Sequence, residues 1–193
     1  HFEQVRTIKD MPQPLRSQGE MLIARDSGWL TLLPEVVVQG GWVRLAGHVA
    51  RLAPGDEAVW AEIAPGLGGA ARFRPPRVRD FAGALGVDEA RVRAVLKAIV
   101  RRGEVHEVAR DHFFLQATVA EMAGLLARLG NGGAYFSAAQ FRDLLGEGAW
   151  NAGRKVAIQV LEFFDRHGVT LRRGDLRCVD RRRILLFVRA EAV

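Results

Sequence analysis

The sequence predicts an α+β fold, mainly α, built from tandem helix-turn-helix units that each carry a β-wing. Residues 78–115 and 138–179 share one grammar: a short helix ending in Leu-Gly, a longer helix stopped by Gly, then a hairpin. The Leu-Gly pairs start at Leu85 and Leu145, and the stopping glycines are Gly103 and Gly168. Within the longer helices apolar residues recur at helical spacing, and after each glycine the pattern changes to that of short strands. A short helix, a turn, a longer helix and a two-stranded wing make a winged helix.

Each element has a local reason. A leading helix over 55–63 turns Trp60 inward, and its counterpart over 119–129 turns Met122, Leu125 and Leu126 inward. Asp88 can cap the longer helix of the first copy, with Glu89 in its first turn. Val92, Val95, Leu96, Ile99 and Val100 form its inward stripe, and Gly103 ends it. Val105, Phe113 and Leu115 belong to the wing, with Arg110-Asp111 near its turn. In the second copy Ser137 and Gln140 have capping-box spacing. Its longer helix runs from Gly153 to about His167, burying Ala157, Val160, Leu161 and Phe164 and turning Lys155, Gln159, Glu162 and Arg166 outward. Phe73, Phe81, Phe113 and Phe114 are expected in the core.

Upstream, residues 35–48 read as a third wing around Gln39-Gly40-Gly41, and 27–33 could add a strand. The chain before them, broken by prolines and scattered charges, holds no helix pair. The expected division is 1–53 as the remnant of a preceding winged helix plus an irregular lead, 54–116 as one winged helix, and 117–193 as the C-terminal one. The chain starts at His1 and is expected to be a fragment or a processed piece.

Composition narrows the function classes. Hydrophobic residues make up 49% and charged ones 26%, enough for a packed core. No apolar run is long enough to span a membrane, and no signal peptide is visible. Cys178, the only cysteine, is read as a strand residue; with five scattered His it makes neither a disulfide nor a zinc spacing, which suits a reducing, cytoplasmic compartment. The histidines are expected to lie far apart. No phosphate-cradling GxxxxGK[ST], Gly-x-Ser-x-Gly or His-Glu-x-x-His occurs. No catalytic group, metal site or cofactor is therefore expected in this chain.

Charge points to a polyanion. The net charge is +6 and the pI near 10.6. Most of the excess lies in residues 151–193, with ten Arg/Lys against five Asp/Glu. Arg154 and Lys155 open the longer helix, where backbone N–H groups and the helix dipole also favour anions. Arg172 and Arg173 precede the wing turn at Gly174-Asp175. A wing that runs back along the helix is expected to bring both pairs into one compact basic site suited to a local RNA feature. Trp150, just before Arg154, is the aromatic considered for base stacking. Arg93, Lys97 and Arg101, at i, i+4 and i+8, form a possible secondary nucleic-acid contact.

The stretch GRKVAIQVLEFFDRHGVTLRRGD, followed by RCVDRRRILLF, resembles the C-terminal winged helix of bacterial selenocysteine-specific elongation factors. The shared features are Gly-Arg-Lys opening the helix, a Leu-Glu-aromatic segment and an Arg-Arg-Gly wing. AAQFRDLLG resembles the preceding helix of that family, and the likeness extends more weakly back to about residue 45. The resemblance implies a row of four winged helices, the last of which grips a selenocysteine-insertion hairpin in mRNA. It implies that Arg154, Lys155, Arg172 and Arg173 hold that hairpin. A GTPase part outside this chain would bring selenocysteinyl-tRNA to UGA codons on the ribosome. A monomer is expected, with no membrane partner. The alternative from the residues alone is a DNA-binding winged-helix transcriptional regulator, which would require a symmetric dimer.

Overall fold

The computed structural model describes residues 22–23, 36–39, 42–45, 52–146, 153–184 and 187. The first sheet has the order β1-β3-β2, from β1 (Leu22–Ile23), β2 (Val36–Gln39) and β3 (Trp42–Leu45), with antiparallel pairing throughout. The hairpin expected over 35–48 is present. Its third strand comes from Leu22–Ile23, inside the stretch read as irregular; 27–33 lies outside the described residues.

The first helical unit opens with α1 (Pro54–Ile63), which has a proline in its first turn, where a missing N–H costs nothing, and Asp56 and Glu57 beside the positive end of the helix dipole. Short 3-10 turns follow at Ala64–Leu67 and Gly69–Ala71. At the start of α2 (Val78–Leu85) the Asp80 carboxylate accepts from the Arg77 N–H at 2.8 Å. The side chain of Asp88 caps α3 (Glu89–Arg102) by accepting from the Ala90 N–H at 2.6 Å. Gly103, at φ 79, ends that helix in the left-handed region where glycine carries no Cβ penalty. The wing is β4 (Val105–Ala109) paired with β5 (His112–Leu115).

The second unit repeats the plan with two additions, a third wing strand and a short helix after the wing. It comprises α4 (Gln116–Leu129), β6 (Phe136–Ser137), α5 (Ala138–Leu145), α6 (Gly153–Arg166), β7 (Thr170–Arg173), β8 (Leu176–Val179) and the short α7 (Arg181–Ile184). The Ser137 hydroxyl accepts from the Gln140 N–H while the Gln140 side chain accepts from the Ser137 N–H, the reciprocal cap that the sequence predicts. The wing has three strands in the order β6-β8-β7, not two, because Phe136 and Ser137 pair with Arg177 and Leu176.

Two cores form. One gathers Trp60, Ile63, Leu67, Phe81, Leu96 and Phe113. The other gathers Met122, Leu126, Phe136, Phe141, Phe164 and Phe187, and also takes Phe73, Val108 and Phe114 from the first unit. The second core therefore crosses residue 116, and the two units share packing.

The junction runs along α6. The Gln159 side-chain oxygen accepts from Arg77 Nη2 at 3.3 Å and lies 3.2 Å from His112 Nδ1. Arg166 Nη2 donates to the Val108 carbonyl at 2.8 Å. Gln159 and Arg166 were expected on a solvent face; β4 and β5 pack against that face and use both side chains. The histidines are also closer than expected. His106 meets Phe163 edge-on at 5.7 Å, and His167 lies 4.3 Å from the same ring, because the end of α6 packs on β4. His106 Nε2 also contacts the Gln116 side-chain oxygen.

Burial pushes the His106 imidazole down to about 4; the Gln116 bond opposes this and nearby His167 adds to it. Since the unfolded chain binds this proton near the ordinary histidine value of 6.5 and the folded chain only near 4, the neutral junction loses stability as pH falls through that window. The loss approaches about 3 kcal/mol, taking ~1.36 kcal/mol per pH unit. Urea denaturation at pH 7, 5.5 and 4.5 should show the midpoint falling, and His106→Gln should flatten that profile.

Candidate nucleic-acid interface

The wing of the second unit is locked to α6 by a nearly buried ion pair. Arg177 on β8 is 5% exposed and reaches Asp165 on α6 through Nη2 and Nε, at 2.9 and 3.0 Å from Oδ2. Thr170 donates its hydroxyl to the same carboxylate. A two-pronged guanidinium–carboxylate contact fixes direction as well as distance. The wing turn follows, with Gly174 at φ 59, a left-handed conformation in a two-residue hairpin turn.

This lock creates a depression of about 470 Å³ between the wing, the start of α5 and the start of α6. It is lined by Ser137, Ala138, Ala139, Arg142, Arg154, Ile158, Arg172, Asp175 and Arg177. Arg142 is held by its neighbour Asp143, and Arg177 by Asp165. Arg172 Nε donates to the Gly174 carbonyl at 2.9 Å, which fixes its stem without neutralising its charge. Arg154 is exposed. Arg154 and Arg172 therefore share one groove, as the sequence predicts.

The other halves of the two basic pairs go elsewhere. Lys155 lines a second depression of about 420 Å³, with Arg77, Arg79, Glu89, Arg110, Asp111 and Gln159. Arg173 projects to the far side of the wing, its guanidinium carbon 5.9 Å from the centre of the Tyr135 ring. The single compact site expected from the sequence is thus divided in three. The reason is local periodicity: neighbours on a strand point to opposite faces, and neighbours on a helix diverge by about 100°. Trp150 lies outside the described residues.

The stripe Arg93, Lys97 and Arg101 is also altered. Arg93 is engaged by Asp111 at the wing turn, Nε to Oδ1 at 2.6 Å and Nη2 to Oδ2 at 2.9 Å, with Glu89 at 3.5 Å. The Arg93 guanidinium holds the Asp111 carboxyl below its ordinary range. Asp111 sits at φ 56, so the ion pair also fixes an unusual backbone conformation. Lys97 and Arg101 remain on the exposed face of α3. Among the described residues no cluster of His, Cys, Asp and Glu could hold a metal, and no helix is long and apolar enough to cross a membrane.

Comparison with known proteins follows the same region. Residues 129–179 match the family model for the winged helix of elongation factor SelB. The selenocysteine-specific elongation factor of Escherichia coli K12 is 31% identical over 172 residues, covering 87% of this chain and 26% of that protein. The Haemophilus influenzae factor is 29% identical over 135 residues, covering 70% and 21%. The solved mRNA-binding domain of E. coli SelB, in complex with SECIS RNA, superposes with a TM-score of 0.58 at 34% identity. That match covers 66% of this chain and 98% of the solved one. The chain belongs to the selenocysteine-specific elongation factor family. It spans about a quarter of the length of the curated relatives it matches. The resemblance in Gly-Arg-Lys, the Leu-Glu-aromatic segment and Arg-Arg-Gly thus leads to the right family, and these motifs occupy the start and body of α6 and the wing.

Because Arg177 is nearly buried, Asp165→Ala leaves its charge without a partner. It should destabilise the chain by about 3–5 kcal/mol, the usual cost of breaking such a pair. Urea unfolding checks this, and Thr170→Ala, which leaves the ion pair intact, should cost less.

Proposed function

We propose that this chain is the mRNA-binding region of a selenocysteine-specific elongation factor and that it recognises a selenocysteine-insertion hairpin. The observation that carries the reading is the groove shared by Arg154 and Arg172, formed where the wing is locked to α6. The likeness to an RNA-bound relative supports it. Phosphates of the hairpin enter this groove, where Arg154 and Arg172 neutralise them and the α6 N-terminus adds its dipole. Arg173 and Lys155 extend contact to either side of it, and Gly174 lets the wing turn closely. Backbone contacts set the register, and a loop or bulged base supplies specificity.

The chain supplies binding and performs no bond chemistry. In the longer protein a GTPase part delivers selenocysteinyl-tRNA at UGA on the ribosome, in the cytoplasm, while this region holds the message. Residues 54–116 and 117–193 act as two joined winged helices, and 1–53 carries the remainder of an earlier one. The secondary contact on the first unit is made by Lys97 and Arg101, which are exposed on α3.

Titration of a SECIS-type RNA hairpin at several salt concentrations tests this. Arg154→Ala and Arg172→Ala should each weaken binding by roughly 1–3 kcal/mol, the scale of a good nucleic-acid contact. Each should lower the salt slope by about 1. Hairpin affinity unchanged in both variants would refute the reading, as would tighter binding of duplex DNA.

A further inference from the structure

The exposed large apolar side chains among the described residues are Tyr135, Leu171 and Leu176, at 46, 53 and 44% exposure. All three belong to one face of the β6-β8-β7 sheet. The register sets that face: Leu171 stands opposite Cys178, Arg173 opposite Leu176, and Ser137 opposite Leu176. Arg172, Arg177 and Phe136 pair across the other face, toward α6. One step before Phe136, Tyr135 returns to the Leu176 side by strand alternation, and its ring lies 5.9 Å from the Arg173 guanidinium carbon. Cation and ring are therefore at cation–π distance, an arrangement that holds both side chains over the sheet.

A sheet face that exposes two leucines, an aromatic ring and a guanidinium calls for an occupant that is flat, apolar on its faces and attached to negative charge. An unpaired nucleobase with its phosphate has those properties. Position favours the same occupant. Arg172 and Arg173 are consecutive on β7, which is an edge strand, so the groove holding Arg154 and Arg172 and the face holding Arg173 and Tyr135 lie back to back across the sheet. RNA that leaves the groove around β7 meets Arg173 first and Tyr135 beyond β8, at the β6 edge. Duplex bases are already stacked and have no need of such a platform; splayed bases in loops and bulges do.

We propose that Tyr135, on the same sheet face as Leu171 and Leu176, is a stacking platform for one unpaired base of the bound RNA, with Arg173 holding the phosphate attached to it. This inference rests on the hairpin-binding reading above and adds to it a specificity-determining aromatic that the sequence reading assigned to Trp150.

The test uses the full 193-residue chain. The probe is an RNA hairpin carrying 2-aminopurine at a single bulged position, compared with the same hairpin made abasic there. Wild type should quench the fluorophore on binding and should prefer the base-bearing hairpin by about 5- to 150-fold, the range of one base–aromatic stack. Tyr135→Ala should abolish the quenching and the preference while keeping the salt-dependent binding that depends on Arg154. Tyr135→Phe should retain both. If Tyr135→Ala keeps the preference and the quenching, or weakens both hairpins equally, the platform is refuted and the face belongs to another partner. If wild type binds neither hairpin, the hairpin-binding reading fails, and with it the platform. The two failures are distinguished by whether Arg154→Ala has any binding left to weaken.

Discussion

Helix α6 is held on two sides, and that constraint places everything else. Val160, Leu161 and Phe164 bury one side in the core of the second unit. Along the other, Gln159 and Arg166 bond to side chain and backbone of the first unit. Asp165 then holds Arg177 and so fixes where the wing lies. The beginning of the helix remains open, and there Arg154 and Lys155 stand on either side of the axis, each facing a different depression. A helix with a single buried face could roll about its axis. This one cannot, because rolling would break contacts on both sides.

The two units use one plan for different ends. Each has a short helix, a longer helix and a wing with a left-handed residue at its turn, Asp111 in one and Gly174 in the other. In the first unit the turn residue is acidic and ties up Arg93, so the wing neutralises its own helix. In the second the left-handed residue is glycine, followed in the turn by Asp175, and Arg172 bonds to the neutral Gly174 carbonyl. The two wings thus treat their basic side chains differently: Asp111 pairs with Arg93 in the first unit, while Arg172 keeps its charge in the second.

Much of the architecture was legible in the chain. The caps at Asp88 and Ser137 and the stop at Gly103 depend on near neighbours, and local chemistry decides them. The inward stripes of α3 and α6 follow from helical spacing. What could not be read depended on contacts between distant segments. Nothing near Phe136 announces a third wing strand, because its partners lie about forty residues away on β8. Gln159 reads as a solvent residue until β5 is placed against it. The division of the basic cluster is a different kind of miss. It follows from strand alternation and helical rotation, so the signal was present in the spacing of Arg172-Arg173 and Arg154-Lys155. Tyr135 carried a weaker signal, the chain's single tyrosine beside a glycine-rich turn, and its role depends on which face of the sheet it joins.

The junction bonds along α6 have a mechanical consequence. The helix has 14 residues and spans about 21 Å at ~1.5 Å per residue. Arg154 stands at one end, and the Arg166 bond to Val108 anchors the other. Such a helix is a lever with its pivot at the first unit. A tilt of only about 5° at the pivot would swing the far end by about 2 Å, well beyond the ~0.5 Å range over which hydrogen-bond lengths vary. The stiffness of a joint far from the groove thus sets the aim of the groove itself, and a load on the groove would be carried along α6 into the body of the neighbouring unit.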